Sequence, residues 1–320
     1  MSLHRPGGPF NQRDAARRYV QARQAVRAGV DGRPNLPAGT TELVIVPAWR
    51  RPDFLTATLR RLAIADDPQL AYWLCLDRGH SPYVASAARD FQRQIGGGRV
   101  TLRLAGQHPH RGNSYNVLTA YAAACASGAT LIHLVEEDIF AGRDYFAFHR
   151  QAHALCPDVF AVSACRNQNV DVAPPERGDA VYQHPAYQSL GVSFTPQRLA
   201  SILPHIGADY FADPSGYCRA TFPDSRIWPG FCEQDGLLHR IAEANGWPVA
   251  YPLAPRAYHA GFHSYNRKGV PLSGGVAQRA DRLLSMSAAD LNAHARDYPD
   301  HTTIVLDGER PAVTSLQVWP

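Results

Sequence analysis

The segment Thr130-Leu-Ile-His-Leu-Val135 runs without a break into Glu136-Glu137-Asp138. Its first six residues have the apolar character of a buried β-strand, and three acids close that strand. Open α/β sheets bind ligands outside the carboxyl ends of their strands, so the acidic triplet stands where a ligand is expected. A single acid there often only faces solvent or caps the next helix. Three consecutive carboxylates repel one another, and that repulsion has to be offset by a cation or a basic group.

The acidic triplet predicts a divalent metal site. Hard oxygen ligands suit Mg²⁺ or Mn²⁺, and such an ion neutralises the charge of a leaving diphosphate. Asp138 is the best single candidate for the metal ligand, with Glu136 and Glu137 in the surrounding cofactor site.

Outward from this strand, apolar runs typical of strands alternate with segments of helical spacing, from about residue 41 to residue 164. The predicted strands are 41–47, 71–76, 100–104, 130–135 and 159–164, and the predicted helices are 53–62, 82–95, 114–127 and 144–155. This alternation predicts an α/β fold with a mainly parallel twisted sheet flanked by helices. A Pro- and Tyr-rich region at 173–229 has a looser pattern, and a further helix is predicted at 236–245.

The chain is predicted to divide into four regions. Residues 1–40 form an N-terminal basic helical extension and linker, 41–165 a nucleotide-binding βαβ half, 166–285 an acceptor and catalytic half of the same domain, and 286–320 a C-terminal extension. The basic stretch at 13–28 is predicted to be a solvated helix face. Contact with a partner or nucleic acid is the alternative.

Composition excludes several classes of protein. The 320 residues are 45% hydrophobic and 19% charged, as in an ordinary globular protein. The chain has no run of roughly 20 apolar residues and no apolar core of a signal peptide at its N-terminus, so we expect a cytoplasmic protein without membrane contact. A net charge of +4 is compatible with anionic nucleotides but too small to imply nucleic-acid binding. The six cysteines form no CxxC pair, which favours reduced thiols.

Other polar residues are candidates for individual roles. Asp77 ends the second strand, where a carboxylate can accept hydrogen bonds from a nucleobase or ribose, although an isolated Asp-x-Gly is more often a turn. Glu233 and Asp235 open a predicted helix, and one of them is a candidate general base for an acceptor hydroxyl. Acids in a first helical turn are also common without any catalytic role.

Two further segments are candidates for binding the metal or the diphosphate. His259 and His263 are four residues apart, but the glycine between them argues against a helical zinc site; completion of the metal shell and a structural role stay open. Arg267 and Lys268 lie in a predicted loop that can close over a diphosphate, or form an exposed basic turn.

Taken in order, these segments resemble the N-acetylglucosaminyltransferase I family of N-glycan synthesis, whose members are inverting glycosyltransferases of the Rossmann-like GT-A fold. The likeness runs from about Leu43 to Gly275. It is carried by short matches in the same order: Leu43-Val-Ile-Val with Arg50, Asp77-Arg-Gly-His80, Glu136-Glu137-Asp138, Asp144-Tyr-Phe146, Val162-Ser-Ala164 with Asn167, Leu190-Gly191, Trp228-Pro229 and Arg267-Lys-Gly-Val270.

The resemblance implies a nucleotide-sugar donor, expected to be a UDP-sugar such as UDP-GlcNAc. It implies that Arg50 contacts the nucleotide, that Asp77 meets the uracil and that Asp138 binds the metal. The remaining candidates for the donor site are Pro47, His110 and Arg111.

This sequence departs from the family pattern at three points. The tryptophan after Leu-Gly is Val192, the paired catalytic Asp-Asp appears as Gln234-Asp235, and 204–226 looks like an insertion. We therefore assign the base to Asp235, with Glu233 in reserve.

The predicted function is metal-dependent, inverting transfer of a sugar to an acceptor hydroxyl. The acceptor is a glycan, a small metabolite, a protein or a modified DNA base. Two alternatives remain: a sugar nucleotidyltransferase, whose glycine-rich signature is missing after the first strand, and a non-catalytic module that binds nucleotide sugars or glycans.

Overall fold

The computed structural model describes residues 36–77, 80–104, 112–167, 180–263, 274–285 and 317–318. Its strands are β1 (Glu42–Ala48), β2 (Leu70–Leu76), β3 (Val100–Leu104), β4 (Leu131–Leu134), β5 (Ile139–Ala141), β6 (Ala161–Ser163), β7 (Ala180–His184), β8 (Val192–Phe194), β9 (Val249–Pro252), β10 (Ala257–His259) and β11 (Gln317–Val318). Its α-helices are α1 (Pro52–Ile64), α2 (Pro82–Ile95), α3 (Asn113–Ala124), α4 (Tyr145–Leu155), α5 (Pro196–Leu199), α6 (Ala208–Ala212), α7 (Pro214–Thr221), α8 (Gln234–Ala244) and α9 (Val276–Ser285), with 3₁₀ turns at Ala200–Ile202 and Ala260–His263. The predicted basic helix at 13–28 lies outside the described residues. The same holds for the C-terminal extension at 286–320, apart from β11.

Nine strands form the central sheet, in the order β11-β7-β9-β6-β8-β4-β1-β2-β3. The β1–β2, β1–β4, β2–β3 and β6–β9 pairs are parallel, whereas β8 runs antiparallel to both β4 and β6. A separate small sheet pairs β10 with β5 in antiparallel orientation. The predicted α/β class with a mainly parallel sheet is therefore confirmed, while the division of the chain at residue 165 stays a prediction.

The sheet is covered by helices on both faces. Along β1, Leu43 and Ile45 pack into a core shared with α3 and α8, whereas Val44 and Val46 pack into a second core shared with α1, α2 and α4. Because successive side chains of a strand point to opposite faces, an unbroken apolar run such as β1 has to be buried on both sides. No helix in the described part of the chain is long and apolar enough to cross a bilayer.

The direction in which successive strands are added to the sheet reverses at β1. From β1 the chain builds β2 and β3 on one side, then returns to place β4 on the other side. The carbonyl of Ile45 accepts a hydrogen bond from Val135 N at 2.9 Å, but Pro47, two residues further along the same edge, has no N–H to donate. The two strands therefore stop pairing near their carboxyl ends, which opens a crevice of the kind that binds ligands in α/β sheets.

A buried polar network ties the sheet to α4. Glu42 accepts hydrogen bonds from Arg150 and, at 3.0 Å, pairs with Nε2 of His133. Next to it, Nδ1 of His149 lies 2.6 Å from Ser193 Oγ, and Nε2 of His153 contacts the same hydroxyl at 2.9 Å. Each of these side chains has at least one polar partner, although Nδ1 of His133, Nε2 of His149 and Nη2 of Arg150 are buried without a hydrogen bond to any described residue.

We expect the stability of the protein to depend on pH through His149. Burial, reinforced by the positive charge that His133 and His153 can carry, holds the pKa of His149 well below its usual 6.5. The folded state therefore binds this proton less readily than the unfolded chain does, and stability is lost as the pH falls below about 6.5. Between pH 7.5 and 5.5 the wild type should lose about 1.4 kcal/mol more unfolding free energy than His149→Gln, measured by urea denaturation. Parallel curves for the two proteins would contradict this account.

Candidate active site

Two arginines follow β1, and the three acids follow β4 at the same edge of the sheet. Arg51 donates from Nε to Glu137 and from Nη1 to Asp138, each at 2.7 Å. The backbone N–H of Trp49 donates to the second oxygen of Glu137 at 3.1 Å. The repulsion predicted within the triplet is thus offset by a guanidinium. The sequence prediction did not include Arg51. Two arginines after one strand and three acids after another could have indicated an ion pair between them.

The two arginines differ in their surroundings. Arg50 is exposed, and its guanidinium lies over the ring of Trp49 at 4.1 Å from the centroid. Arg51 is partly buried; burial lowers its pKa, but the charges of Asp138 and Glu137 outweigh that effect and leave the pKa raised. Contact of Arg50 with a nucleotide stays a prediction.

Asp138 lies against His259, which ends β10. Nε2 of His259 is 3.6 Å from Oδ2 of Asp138, and the backbone N–H of Ala260 donates to the carbonyl of Asp138 at 2.7 Å. Burial alone raises the pKa of Asp138, but His259 and Arg51 outweigh it, and the net shift is downward. Asp138 is therefore ionised at neutral pH, and its Oδ2 lies between Arg51 and His259.

Gly261 keeps the space beside this pair open. A Cβ atom at Gly261 would lie 2.3 Å from Nε2 of His259 and 2.7 Å from Oδ2 of Asp138. Real Cβ atoms do not approach so closely, so every other residue type would push the two side chains apart. Sequence reasoning used this glycine only to argue against a helical zinc site.

The residues present fit a hard divalent cation that completes its shell with substrate oxygens. Among the described residues no group of three or more His, Cys, Asp or Glu side chains is placed to hold a metal, so a self-contained protein cage of these groups is not formed there. Asp138 and His259 offer one carboxylate and one imidazole, and Mg²⁺-type sites commonly use one or two carboxylates plus substrate phosphates. The backbone of His263 ends the 3₁₀ turn, but its side chain lies outside the described residues, so its role as a ligand stays a prediction.

We expect Gly261→Ala to weaken Mn²⁺ binding about tenfold or more, because the added methyl group displaces Asp138 and His259. Titration calorimetry with MnCl₂ measures the effect. Gly207→Ala is the matched control, since a Cβ at Gly207 meets no atom within 4 Å. Equal Mn²⁺ affinity in both variants would exclude His259 and Asp138 as a joint metal site.

Glu136 contacts the start of α3. It accepts a hydrogen bond from Nδ2 of Asn113 at 2.9 Å. Burial and the nearby charges of Asp235 and Asp138 raise the pKa of Glu136 to about 8. Burial and the charge of Glu233 raise the pKa of Asp235 to about 6, against a hydrogen bond from Ser189. Two carboxyl groups whose charges interact do not both ionise easily, which is typical of acid–base sites.

The first turn of α8 distinguishes the three candidates for the base. Gln234 is buried, and its Oε1 accepts a hydrogen bond from Ser114 Oγ at 2.6 Å, so this side chain fastens α8 to α3. Glu233 is exposed to solvent. Asp235 is the member of this turn whose charge interacts with Glu136, which agrees with its choice as the base without testing it.

Asp77 ends β2 at the same edge and is buried. Its backbone N–H donates to the carbonyl of Ala48 at 3.0 Å, and its carbonyl accepts from the backbone N–H of His80 at 3.2 Å. Pro47 and Asp77 therefore border the crevice on the β2 side. His110, Arg111, Arg267 and Lys268 lie outside the described residues, and their proposed contacts with the donor stay predictions.

Together these features define an α/β protein with an acidic site in the crevice where the sheet changes direction. No protein-family model matches the chain. No curated protein matches it either.

Several solved structures are similar to the chain. A mannosyltransferase from Pyrobaculum calidifontis, solved with GDP-Man and Mn²⁺, has 16% identity over 89% of this chain and 82% of its own, with a TM-score of 0.45. TarS 1–349 from S. aureus has 11% identity over 82% and 70%, with a TM-score of 0.42. Glucosyl-3-phosphoglycerate synthase from Mycobacterium tuberculosis, solved with Mn²⁺, UDP-glucose and phosphoglyceric acid, has 12% identity over 92% and 86%, with a TM-score of 0.40. At such low identities and TM-scores, these similarities decide neither the activity nor the substrates of this chain.

Proposed function

We propose that this protein is a metal-dependent glycosyltransferase of the GT-A type, which transfers a sugar from a nucleotide-sugar donor to an acceptor hydroxyl with inversion. The observation that carries the proposal is that two acidic groups lie at one crevice: Asp138, 3.6 Å from Nε2 of His259, and Glu136, whose pKa the charge of Asp235 helps to raise. The first suits a cation and its diphosphate, and the second suits removal of a proton.

The donor half of the site lies around the ends of β1, β2 and β4. Asp138 and His259 would hold Mn²⁺ or Mg²⁺, which when bound supplies positive charge to the diphosphate leaving group. Arg51, held by Glu137 and Asp138, adds a fixed positive charge to the same edge. Asp77 and Arg50 would contact the nucleoside part of the donor, which we expect to be a UDP-sugar.

The acceptor half of the site lies at the first turn of α8. Asp235 takes the proton from the acceptor hydroxyl as that oxygen attacks the anomeric carbon, and the bond from that carbon to the diphosphate breaks on the opposite face. One displacement of this kind inverts the configuration at the anomeric carbon. Burial and the charge of Glu233 raise the pKa of Asp235 to about 6, which suits a base near neutral pH.

A panel of nucleotide sugars tests the proposed function. Release of the nucleoside diphosphate is measured for UDP- and GDP-sugars, with Mn²⁺ and with EDTA. We expect turnover with one donor class in the presence of Mn²⁺ and loss of that turnover in EDTA. Metal-dependent binding of a donor with no turnover in any acceptor mixture would favour the non-catalytic module, and absence of both binding and turnover would overturn the proposal.

A further inference from the structure

An exposed aromatic surface lies just before α8. Trp228 is 73% exposed and Phe231 is 37% exposed, with Pro229 between them. Most large apolar side chains of the described chain are buried, so a tryptophan this open contributes little to the stability of the fold. Rigid aromatic side chains that stay exposed are typical of binding surfaces.

The loop that carries this aromatic surface is held in one conformation by a buried arginine. Arg240 is 2% exposed, and its guanidinium donates to the carbonyls of Trp228 and Gly236 at 3.0 Å each, and also to the carbonyl of Phe231. Burying a guanidinium is unfavourable unless several hydrogen bonds satisfy it. The loop is thus fixed before any ligand arrives, and a preformed surface binds with a smaller loss of conformational entropy.

The same arginine joins the aromatic loop to the proposed catalytic turn. Gly236 follows Asp235 directly, and a Cβ at Gly236 would lie 2.0 Å from the carbonyl oxygen of Phe231. Only glycine permits the loop to pass so close to the helix. Trp228 and Asp235 therefore belong to one rigid unit at the amino end of α8.

We propose that Trp228 is the stacking surface of an acceptor subsite and that the acceptor carries a pyranose ring. This inference rests on the proposed function and names the acceptor class for the same site. The C–H face of a pyranose is slightly positive and apolar, which complements the negative face of an indole ring. Exposed Glu233 can accept hydrogen bonds from sugar hydroxyls at the rim. A nucleic-acid acceptor is disfavoured, because its phosphates would approach the carboxylates of Glu233 and Asp235.

The test labels the five tryptophans with 5-fluorotryptophan and follows them by ¹⁹F NMR. The probes are cellobiose, lactose, mannobiose and N,N′-diacetylchitobiose, with a short single-stranded oligodeoxynucleotide as the competing class. Trp228→Phe assigns the resonance of Trp228, and Trp247, which stacks on Phe160, serves as an internal reference. We expect at least one disaccharide to shift the Trp228 resonance saturably and to leave that of Trp247 in place.

Calorimetry with the same disaccharide gives the second readout. Trp228→Ala should bind it about tenfold more weakly, whereas Trp228→Phe should keep most of the affinity. Tyr83→Ala is the matched control, because Tyr83 is an exposed aromatic residue (65%) on α2, and it should bind like the wild type. Unchanged affinity in Trp228→Ala, no saccharide shift at Trp228, or a shift with the oligodeoxynucleotide alone would each overturn the proposal.

Donor hydrolysis by the wild type, without saccharide, separates this inference from the proposed function. If the protein hydrolyses a donor but binds no disaccharide at Trp228, the acceptor subsite is refuted and the transferase proposal stands. If a disaccharide binds at Trp228 but no donor is turned over, Trp228 belongs to a carbohydrate-binding surface and the transferase proposal is refuted.

Discussion

Replacing Asp138 with asparagine is expected to lower metal-dependent turnover of the nucleotide-sugar donor by about a thousandfold and to abolish tight Mn²⁺ binding. The substitution keeps the shape of the side chain but removes the charge that His259 and Arg51 stabilise. A metal that neutralises a leaving diphosphate contributes several kcal/mol to catalysis, and about 1.4 kcal/mol corresponds to a factor of ten in rate. Release of nucleoside diphosphate measures the rate, and electron paramagnetic resonance of free Mn²⁺ measures binding.

The fold should survive this substitution. Arg51 keeps its 2.7 Å contact with Glu137, so its charge retains a partner. Asp224→Asn removes an exposed carboxylate in the loop between α7 and α8 and serves as the matched control. A variant at Asp138 that still bound Mn²⁺ and turned over the donor like the Asp224 variant would exclude Asp138 as the metal ligand.

Replacing Asp235 with asparagine should lower sugar transfer by about a hundredfold to ten-thousandfold, which is the usual contribution of a general base. Donor affinity should stay close to that of the wild type, because Asp138, His259 and Arg51 are untouched. Transfer is measured with saturating donor, and donor affinity by calorimetry in the absence of acceptor.

Glu233→Gln is the matched control for the base, because Glu233 is an exposed carboxylate at the start of the same helix. It should retain most of the transfer activity. The opposite pattern, with Glu233→Gln inactive and Asp235→Asn active, would assign the base to Glu233. Equal and small losses in both variants would remove the general-base role from this turn.

Much of the fold could be predicted from local signals. Residues 82–95 are helical, as predicted, because Ser81 caps the first turn, Pro82 occupies the first position and Gly96 ends the helix with a positive φ of 66°. The strand before Glu136 was also predicted from a local signal, because the sequence changes abruptly from an apolar run to three acids. Boundaries elsewhere match the prediction or differ from it by up to three residues, as fraying of element ends produces.

The candidate site was only partly predictable. Asp138 as the metal ligand and Asp235 as the base stay predictions, and the choice of Arg50 overlooked Arg51, which makes the observed ion pairs. Neighbouring arginines after a strand look alike in sequence, and the direction of each side chain depends on how the loop leaves the sheet. Gly261 and the loop held by Arg240 were not predicted, because their importance depends on close approaches that exist only in the folded chain.

The sequence by itself determined the alternating strands and helices, the parallel sheet and the position of an acidic triplet at a strand end. These properties follow from hydrophobic period, caps and turn residues, which act over a few neighbouring residues. Only the tertiary structure decided that Asp138 lies beside His259, that the charge of Asp235 acts on Glu136 and that Gln234 binds Ser114. Such contacts depend on which strands are neighbours and on how α8 packs against α3, and packing of distant segments leaves no local period in the sequence.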